Sequence, residues 1–252
     1  MLVQMRRRRF RAAAQGVTLL NTQAVVGLTS SARARRSVVR RLVSLWSVVV
    51  LGCTSGNSGQ TYLLGSAGPW TQGFGLANRR GIELARDEIN AAGGIKGKKL
   101  EIRFQDDSGS GVVAARIAQQ FVDDPAVLAV VGHVSSGAML AAARVYDGNL
   151  VAIATTATNP ALTGISPWTF RVISSDSANG VQIANAVSAL GLKRAAILYE
   201  NDGYGRGLSA SFRTAFEGQV ISNDPIGGDI ADAEPFITYF KQARPDVVIV
   251  AG

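Results

Sequence analysis

From Tyr62 onward the chain alternates between short β-branched apolar runs and longer segments with apolar residues every three or four positions. Tyr62 to Gly65 reads as a first strand, and Ile82, Ala85, Ile89 and Ala92 repeat at helical spacing until Gly93-Gly94 stops them. Leu100 to Phe104 alternates as a strand, and Val112 to Val122 forms a second amphipathic helix ended by Asp123-Asp124-Pro125. Val127 to Val131 and Leu150 to Ala154 are apolar runs separated by an alanine-rich segment of helical length. That is the pattern of a βαβ unit with a parallel sheet. A doubly wound α/β lobe is the economical fold.

Beyond Pro160 the order repeats. Trp168 to Val172 reads as a short crossing segment and Asn179 to Leu190 as a helix. Ala195 to Tyr199 is a buried strand, and Tyr204 to Phe216 a helix entered through Asp202-Gly203. Val220-Ile221 opens another strand, Pro235 to Ala243 is a helix, and Val247 to Val250 a last strand. This is a second α/β unit. A final parallel strand with no covering helix after it predicts a second lobe that is incomplete, and hence a C-terminally truncated chain.

Strand ends are where open α/β sheets bind ligands. The first of the two apolar runs ends in Gly132-His133, followed by Ser135 and Ser136; the second ends in Thr155-Thr156-Ala157-Thr158. Ser135 and Ser136 open the alanine-rich helix, whose free N–H groups and positive dipole end make a seat for a carboxylate. Ordinary caps and turns would give the same spacing.

Charge changes the picture once it is located. The whole chain carries +8, but ten Arg and no acid stand in the first 52 residues, leaving 16 Lys and Arg against 18 Asp and Glu. The folded part is therefore slightly acidic, with no clustered basic footprint for nucleic acid. Arg40-Arg41, the apolar stretch Leu42 to Leu51 and Gly52-Cys53 describe a secretory signal, and the stretch is too short to span a bilayer as a helix. Val50-Leu51-Gly52-Cys53 resembles the lipobox of bacterial lipoproteins, in which the cysteine becomes the lipidated N-terminus. Thr54 to Gln60 then reads as a tether. Residues 1–36 look unlike any folded segment, and the true start is expected near Val38. The division is a leader at 1–52, a tether at 53–60, a first lobe at 61–172 and a partial second lobe at 173–252.

Catalytic and cofactor readings are thin. Cys53 and His133 are the single cysteine and histidine, so neither an intrachain disulfide nor a metal site of usual composition is implied. A hydrolase triad could be drawn from Ser135 or Ser136, His133 and Asp147, but no G-x-S-x-G elbow supports it. Gly73 and Gly75 lack the third glycine and the acidic residue of a dinucleotide loop. No cofactor is expected.

The motifs GIELARDEINAAGGIKGKKLEI, FQDDSG, VVGHVSSG, ATTATNPALT, FRVISSD and AAILYENDGYGRGL run through residues 61–252 in one order. With them the chain resembles type I periplasmic-binding-fold solute-binding proteins, and within those the branched-chain amino-acid (Leu/Ile/Val) receptors of ABC importers. The resemblance implies two Rossmann-like lobes closing on an amino acid. It implies a carboxylate held by Ser136, a backbone amide near Thr158, and Tyr204. It implies an ammonium met by the carbonyl of Thr156 and the hydroxyl of Thr158. Phe74 is the matching aromatic of the first loop, with Trp70 the alternative. The family's usual acidic contact to the ammonium has no counterpart here. The implied partners are ABC permease subunits, with the chain lipid-anchored through Cys53 on the periplasmic or extracellular face of the envelope. A sensory ligand-binding module of the same fold is the second reading, and a hydrolase using His133 the third.

Overall fold

The computed structural model describes residues 61–227 and 234–252. Leader, tether and Cys53 lie outside the described residues. The first lobe is a five-stranded sheet in the order β2-β1-β3-β4-β5, parallel throughout. Its strands are β1 (Tyr62–Gly68), β2 (Leu100–Asp106), β3 (Val127–Gly132), β4 (Ala152–Ala154) and β5 (Thr169–Arg171). Between them run α1 (Gly73–Ala91), α2 (Gly111–Asp123) and α3 (Ser136–Tyr146), with a single 3-10 turn at Pro160–Leu162. The second lobe holds α4 (Asp176–Ala189), β6 (Arg194–Glu200), α5 (Gly203–Ala215), β7 (Gln219–Ile226), α6 (Glu234–Ala243) and β8 (Val247–Ala251). Its described strands pair in parallel in the order β7-β6-β8.

The alanine-rich and β-branched runs explain this packing. Ala114, Ile117, Ala118 and Phe121 of α2 and Ala138, Met139, Ala142 and Ala143 of α3 bury together against β1 and β3. Small side chains let these helices approach the sheet closely. Gly65 is needed for that approach, because a Cβ there would lie 2.9 Å from the Phe121 ring. The second lobe has its own core around Ile197, Phe212 and Phe216, whose two rings stack at 5.0 Å. Pro225 falls within β7, at the edge of the described sheet, where a missing donor is tolerated.

Two expectations are refined. The segment at Trp168 to Val172 contains a true strand, β5, paired in register with β4 from Ala152↔Thr169 to Ala154↔Arg171. Gly75 serves close packing: a Cβ there would come within 2.0 Å of the Pro69 carbonyl oxygen.

Strand order also marks the ligand-binding end. In the first sheet the chain passes from β1 to β2 on one side and returns to β3 on the other. In the second it passes from β6 to β7 and returns to β8. Each is a switch point, where the loops leaving two neighbouring strands part and open a crevice at their carboxyl ends.

Candidate functional site

A cavity of about 460 Å³ lies where the two switch points face each other, lined from the first lobe by Phe74, Val134, Ser135, Ser136, Thr156 and Thr158 and from the second by Glu200, Asp202, Tyr204 and Gly252. All five residues singled out from the sequence, Phe74, Ser136, Thr156, Thr158 and Tyr204, are thus brought to one wall-to-wall site. Phe74, in the first turn of α1, is 56% exposed and presents its ring to this cavity. Trp70 is only 7% exposed and packs edge-on against Phe104 at 5.6 Å. Of the two aromatics, Phe74 is the one that faces the site.

The hydroxyls are oriented by their neighbours. Ser135 stands at the N-cap position of α3 but makes no capping bond with its side chain, contrary to the expectation of an ordinary cap. Ser136 instead crosses to the other loop: its Oγ accepts from the Thr158 amide at 3.2 Å and from the Asn159 amide at 3.3 Å. With both lone pairs taken, the Ser136 hydroxyl has only its proton to give. The Thr158 amide, expected near a carboxylate, is therefore engaged with Ser136. Thr156 donates to the Val134 carbonyl at 2.8 Å, which leaves its lone pairs outward. Thr155 turns away and donates to Asn78 at 3.1 Å.

Across the cavity, Asp202 caps α5 by accepting from the Gly205 amide at 2.7 Å. Tyr204 sits in the first turn of the same helix. Its phenol is pushed upward by burial and by the carboxylates of Asp176 and Asp202, so it stays a neutral donor through the physiological range. Glu200 ends β6 and lines the cavity without a cationic neighbour on its wall. Two helix N-termini, those of α3 and α5, meet beside the site: Asn159 donates from its side chain to the Gly203 carbonyl, and a Cβ at Gly203 would lie 2.6 Å from the Gly137 nitrogen.

His133 plays no part in the cavity wall. It is fully buried, with Nδ1 2.5 Å from Asp107 Oδ2 and Nε2 3.0 Å from the Tyr146 hydroxyl. Asp147, its imagined partner, instead accepts from Ser166 at 2.6 Å. The proposed triad of Ser135 or Ser136, His133 and Asp147 is not assembled, because both ring nitrogens are spent on other residues.

Sequence reasoning missed Glu200 and Asp176. Glu200 could have been found by applying the strand-end argument to the second lobe. Asp176 is 1% exposed, behind Thr158, whose hydroxyl donates to it at 2.7 Å. Its signal was confined to the acid in FRVISSD, which also reads as a helix-start residue.

The class defined by two facing switch points is that of a two-lobed binding protein, and the comparisons agree. Residues 62–252 match the model of the periplasmic binding protein family, and the chain belongs to that family. An amino acid binding protein of Pseudomonas aeruginosa is 37% identical over 75% of this chain and 53% of its own length. Leu/Ile/Val-binding protein homolog 3 of Brucella melitensis is 31% identical over 83% of this chain and 60% of its own. Among solved structures, the branched-chain amino acid transporter substrate-binding protein LivJ of Streptococcus pneumoniae, in complex with isoleucine, superposes with a TM-score of 0.69 at 31% identity. That match covers 76% of this chain and 57% of LivJ. The chain thus spans between about half and three-fifths of the length of these relatives.

Proposed function

We propose that this protein is an extracytoplasmic solute-binding protein of an ABC importer that takes an amino acid, of branched-chain type, between its two lobes and delivers it to permease subunits. The observation that carries this reading is the Ser136–Thr158 pair at the first lobe's strand ends, facing Tyr204 across the cavity. Ser136 donates a hydrogen bond to the ligand carboxylate beside the positive end of α3, and Tyr204 donates another from the opposite lobe. The Thr158 hydroxyl oxygen and the Thr156 carbonyl accept hydrogen bonds from the ammonium. Phe74 covers the ligand's apolar part. Contacts from both lobes stabilise the closed arrangement over the open one, so binding is a population shift rather than a chemical step. The names of the relatives and of the isoleucine complex support the choice of ligand class. The Val50 to Cys53 pattern supports export and anchoring by lipid on the outer side of the membrane.

Calorimetric titration of the intact protein with leucine, isoleucine and valine tests this reading. Saturable binding with no change in the amino acid recovered afterwards is expected. Failure of all three to bind, or recovery of a chemically altered product, would overturn it. The sensory-module alternative predicts binding without association with a permease, which co-purification would separate.

A further inference from the structure

The two central hydroxyls of the first lobe have opposite polarity, and the reason lies outside the cavity. Thr158 Oγ1 donates its only proton to Asp176 Oδ2 at 2.7 Å, and the Thr158 amide is committed to Ser136. Thr158 therefore offers the cavity lone pairs and no donor. Ser136, by contrast, has both lone pairs occupied and offers only a proton.

Asp176 is unusual in its own right. It is 1% exposed, at the start of α4, and its partners are neutral: the Thr158 hydroxyl, and the Asn179 side-chain amide at 3.1 Å. The neighbouring guanidinium, Arg171, spends itself elsewhere, on the carbonyls of Thr158 at 3.1 Å and Asn159 at 2.9 Å and on the Thr163 hydroxyl. A carboxylate removed from water without a bonded cation is costly. A cation placed on the Thr158 oxygen would answer that charge through one hydroxyl. The field of Asp176 already reaches the opposite wall, where it helps keep the Tyr204 phenol protonated.

We infer that Asp176 is the residue that makes this site select a carboxylate ligand bearing an ammonium group over one without it. It is a positioning residue: it holds the Thr158 hydroxyl with the oxygen toward the ligand and places a negative charge behind it, without touching the ligand. The inference rests on the amino-acid reading above and adds, to the carboxylates of Glu200 and Asp202 that line the cavity, a negative charge acting from behind the Thr158 hydroxyl. A ligand lacking the ammonium would meet lone pairs backed by a buried charge, with nothing to donate to them.

The test compares L-leucine with 4-methylpentanoate, its counterpart without the amino group, by calorimetry on the intact protein. The wild type is expected to prefer leucine strongly. Asp176→Asn keeps the shape and removes the charge. Its affinity for leucine should fall by about tenfold to a hundredfold, the scale of one hydrogen bond to a charged group, while 4-methylpentanoate binds unchanged or more tightly. A purely structural role would weaken both ligands in parallel, and that outcome overturns the inference. Should Asp176→Asn not fold, Thr158→Val disconnects the carboxylate from the cavity and should collapse the preference in the same way. A Thr158→Val variant that keeps the full preference for leucine overturns it equally. A wild type that binds both ligands alike refutes the role of Asp176 alone; one that binds neither removes the amino-acid reading and this inference with it.

Discussion

Ser136 Oγ lies 3.2 Å from the Thr158 nitrogen, so one side chain at the start of α3 ties together the loops that leave β3 and β4. The bond joins two strand ends 22 residues apart and sets which face each hydroxyl shows to the cavity. Ser136→Ala removes the proton offered to the ligand and leaves the amides of Thr158 and Asn159 without their acceptor. An affinity loss of about tenfold to a hundredfold for leucine is expected. Calorimetry on the variant checks it, and an unchanged dissociation constant would remove Ser136 from the site.

The contact between Gly203 and Gly137 sets how closely the lobes can approach. A methyl group at Gly203 would meet the Gly137 nitrogen at 2.6 Å and its Cα at 2.8 Å, both backbone atoms that cannot swing away. The same addition at Gly137 finds its nearest neighbour at 3.7 Å, which is ordinary contact. Gly203→Ala should therefore cost roughly 1–3 kcal/mol, by the usual penalty for overpacking, and Gly137→Ala much less. Thermal unfolding and ligand affinity should both separate the two variants. Equal behaviour would mean that the lobes do not meet here in solution.

Much of this arrangement is legible in the sequence because strands and their ends announce themselves. Val127 to Val131 followed by two serines, and Leu150 to Ala154 followed by threonines, locate Ser136, Thr156 and Thr158 once a parallel sheet is assumed. Tyr204 and Phe74 are marked only by the motif resemblance, since an aromatic at a helix start carries no periodic signal of its own. What escaped depends on contacts far apart in sequence. Asp176 matters through a hydroxyl 18 positions earlier, and nothing in its surroundings marks it as more than a helix-start acid. In the sequence β5 reads only as a crossing segment, because it is three residues long at the edge of the described sheet, with Phe170 and the following Val172 exposed rather than alternating inward. Ser135 shows the reverse error, a good capping residue whose side chain does not cap.

Anchoring rests on the leader alone. Val50-Leu51-Gly52-Cys53 places the single cysteine directly after an apolar stretch, where processing would leave it at the N-terminus carrying lipid. Cys53→Ser should move most of the protein from the membrane pellet to the soluble envelope fraction. Fractionation followed by blotting reads this out, and a variant that still pellets to the wild-type extent would rule out the lipid anchor.

The buried network of Asp107, His133 and Tyr146 predicts an effect on stability without a matching effect on selectivity. All three side chains are fully buried, and they join the loop after β2, the loop after β3 and the end of α3. The Tyr146 phenol is pushed well above its ordinary range by burial and by Asp107, so it remains a neutral partner at every physiological pH. Asp107→Ala leaves the imidazole without its short partner in a dry site, a loss on the order of 3 kcal/mol. The melting temperature should fall by roughly 6–12 °C for a domain of this size. The ratio of leucine to 4-methylpentanoate affinity should stay as in the wild type. A changed ratio would place this network in ligand recognition after all.

Asp246 gives the fold a defined acid-side response. Its Oδ2 accepts from the amides of Lys193 at 2.8 Å and Arg194 at 2.9 Å, which pins the entry of β8 to the entry of β6. These two backbone bonds hold its carboxyl below the ordinary value of 3.8, against a smaller opposing effect of burial. A group whose folded pKa is depressed contributes its stability above the unfolded value and loses it as pH falls through the folded one. The contribution is thus complete at neutral pH and disappears only in strong acid. Asp246→Asn removes the titrating group while keeping one acceptor. The gap in melting temperature between variant and wild type should be no more than about 4 °C near neutrality, given the exposure of the side chain. It should stay constant down to about pH 5 and close below the ordinary carboxylate range. Asp124, held low by Arg103 and the Ala126 amide, titrates in the same direction and keeps some acid dependence in both proteins. The difference between the two melting curves, not either curve alone, reports Asp246. A gap that persists unchanged to pH 2 would show that its bonds to Lys193 and Arg194 do not depend on its charge.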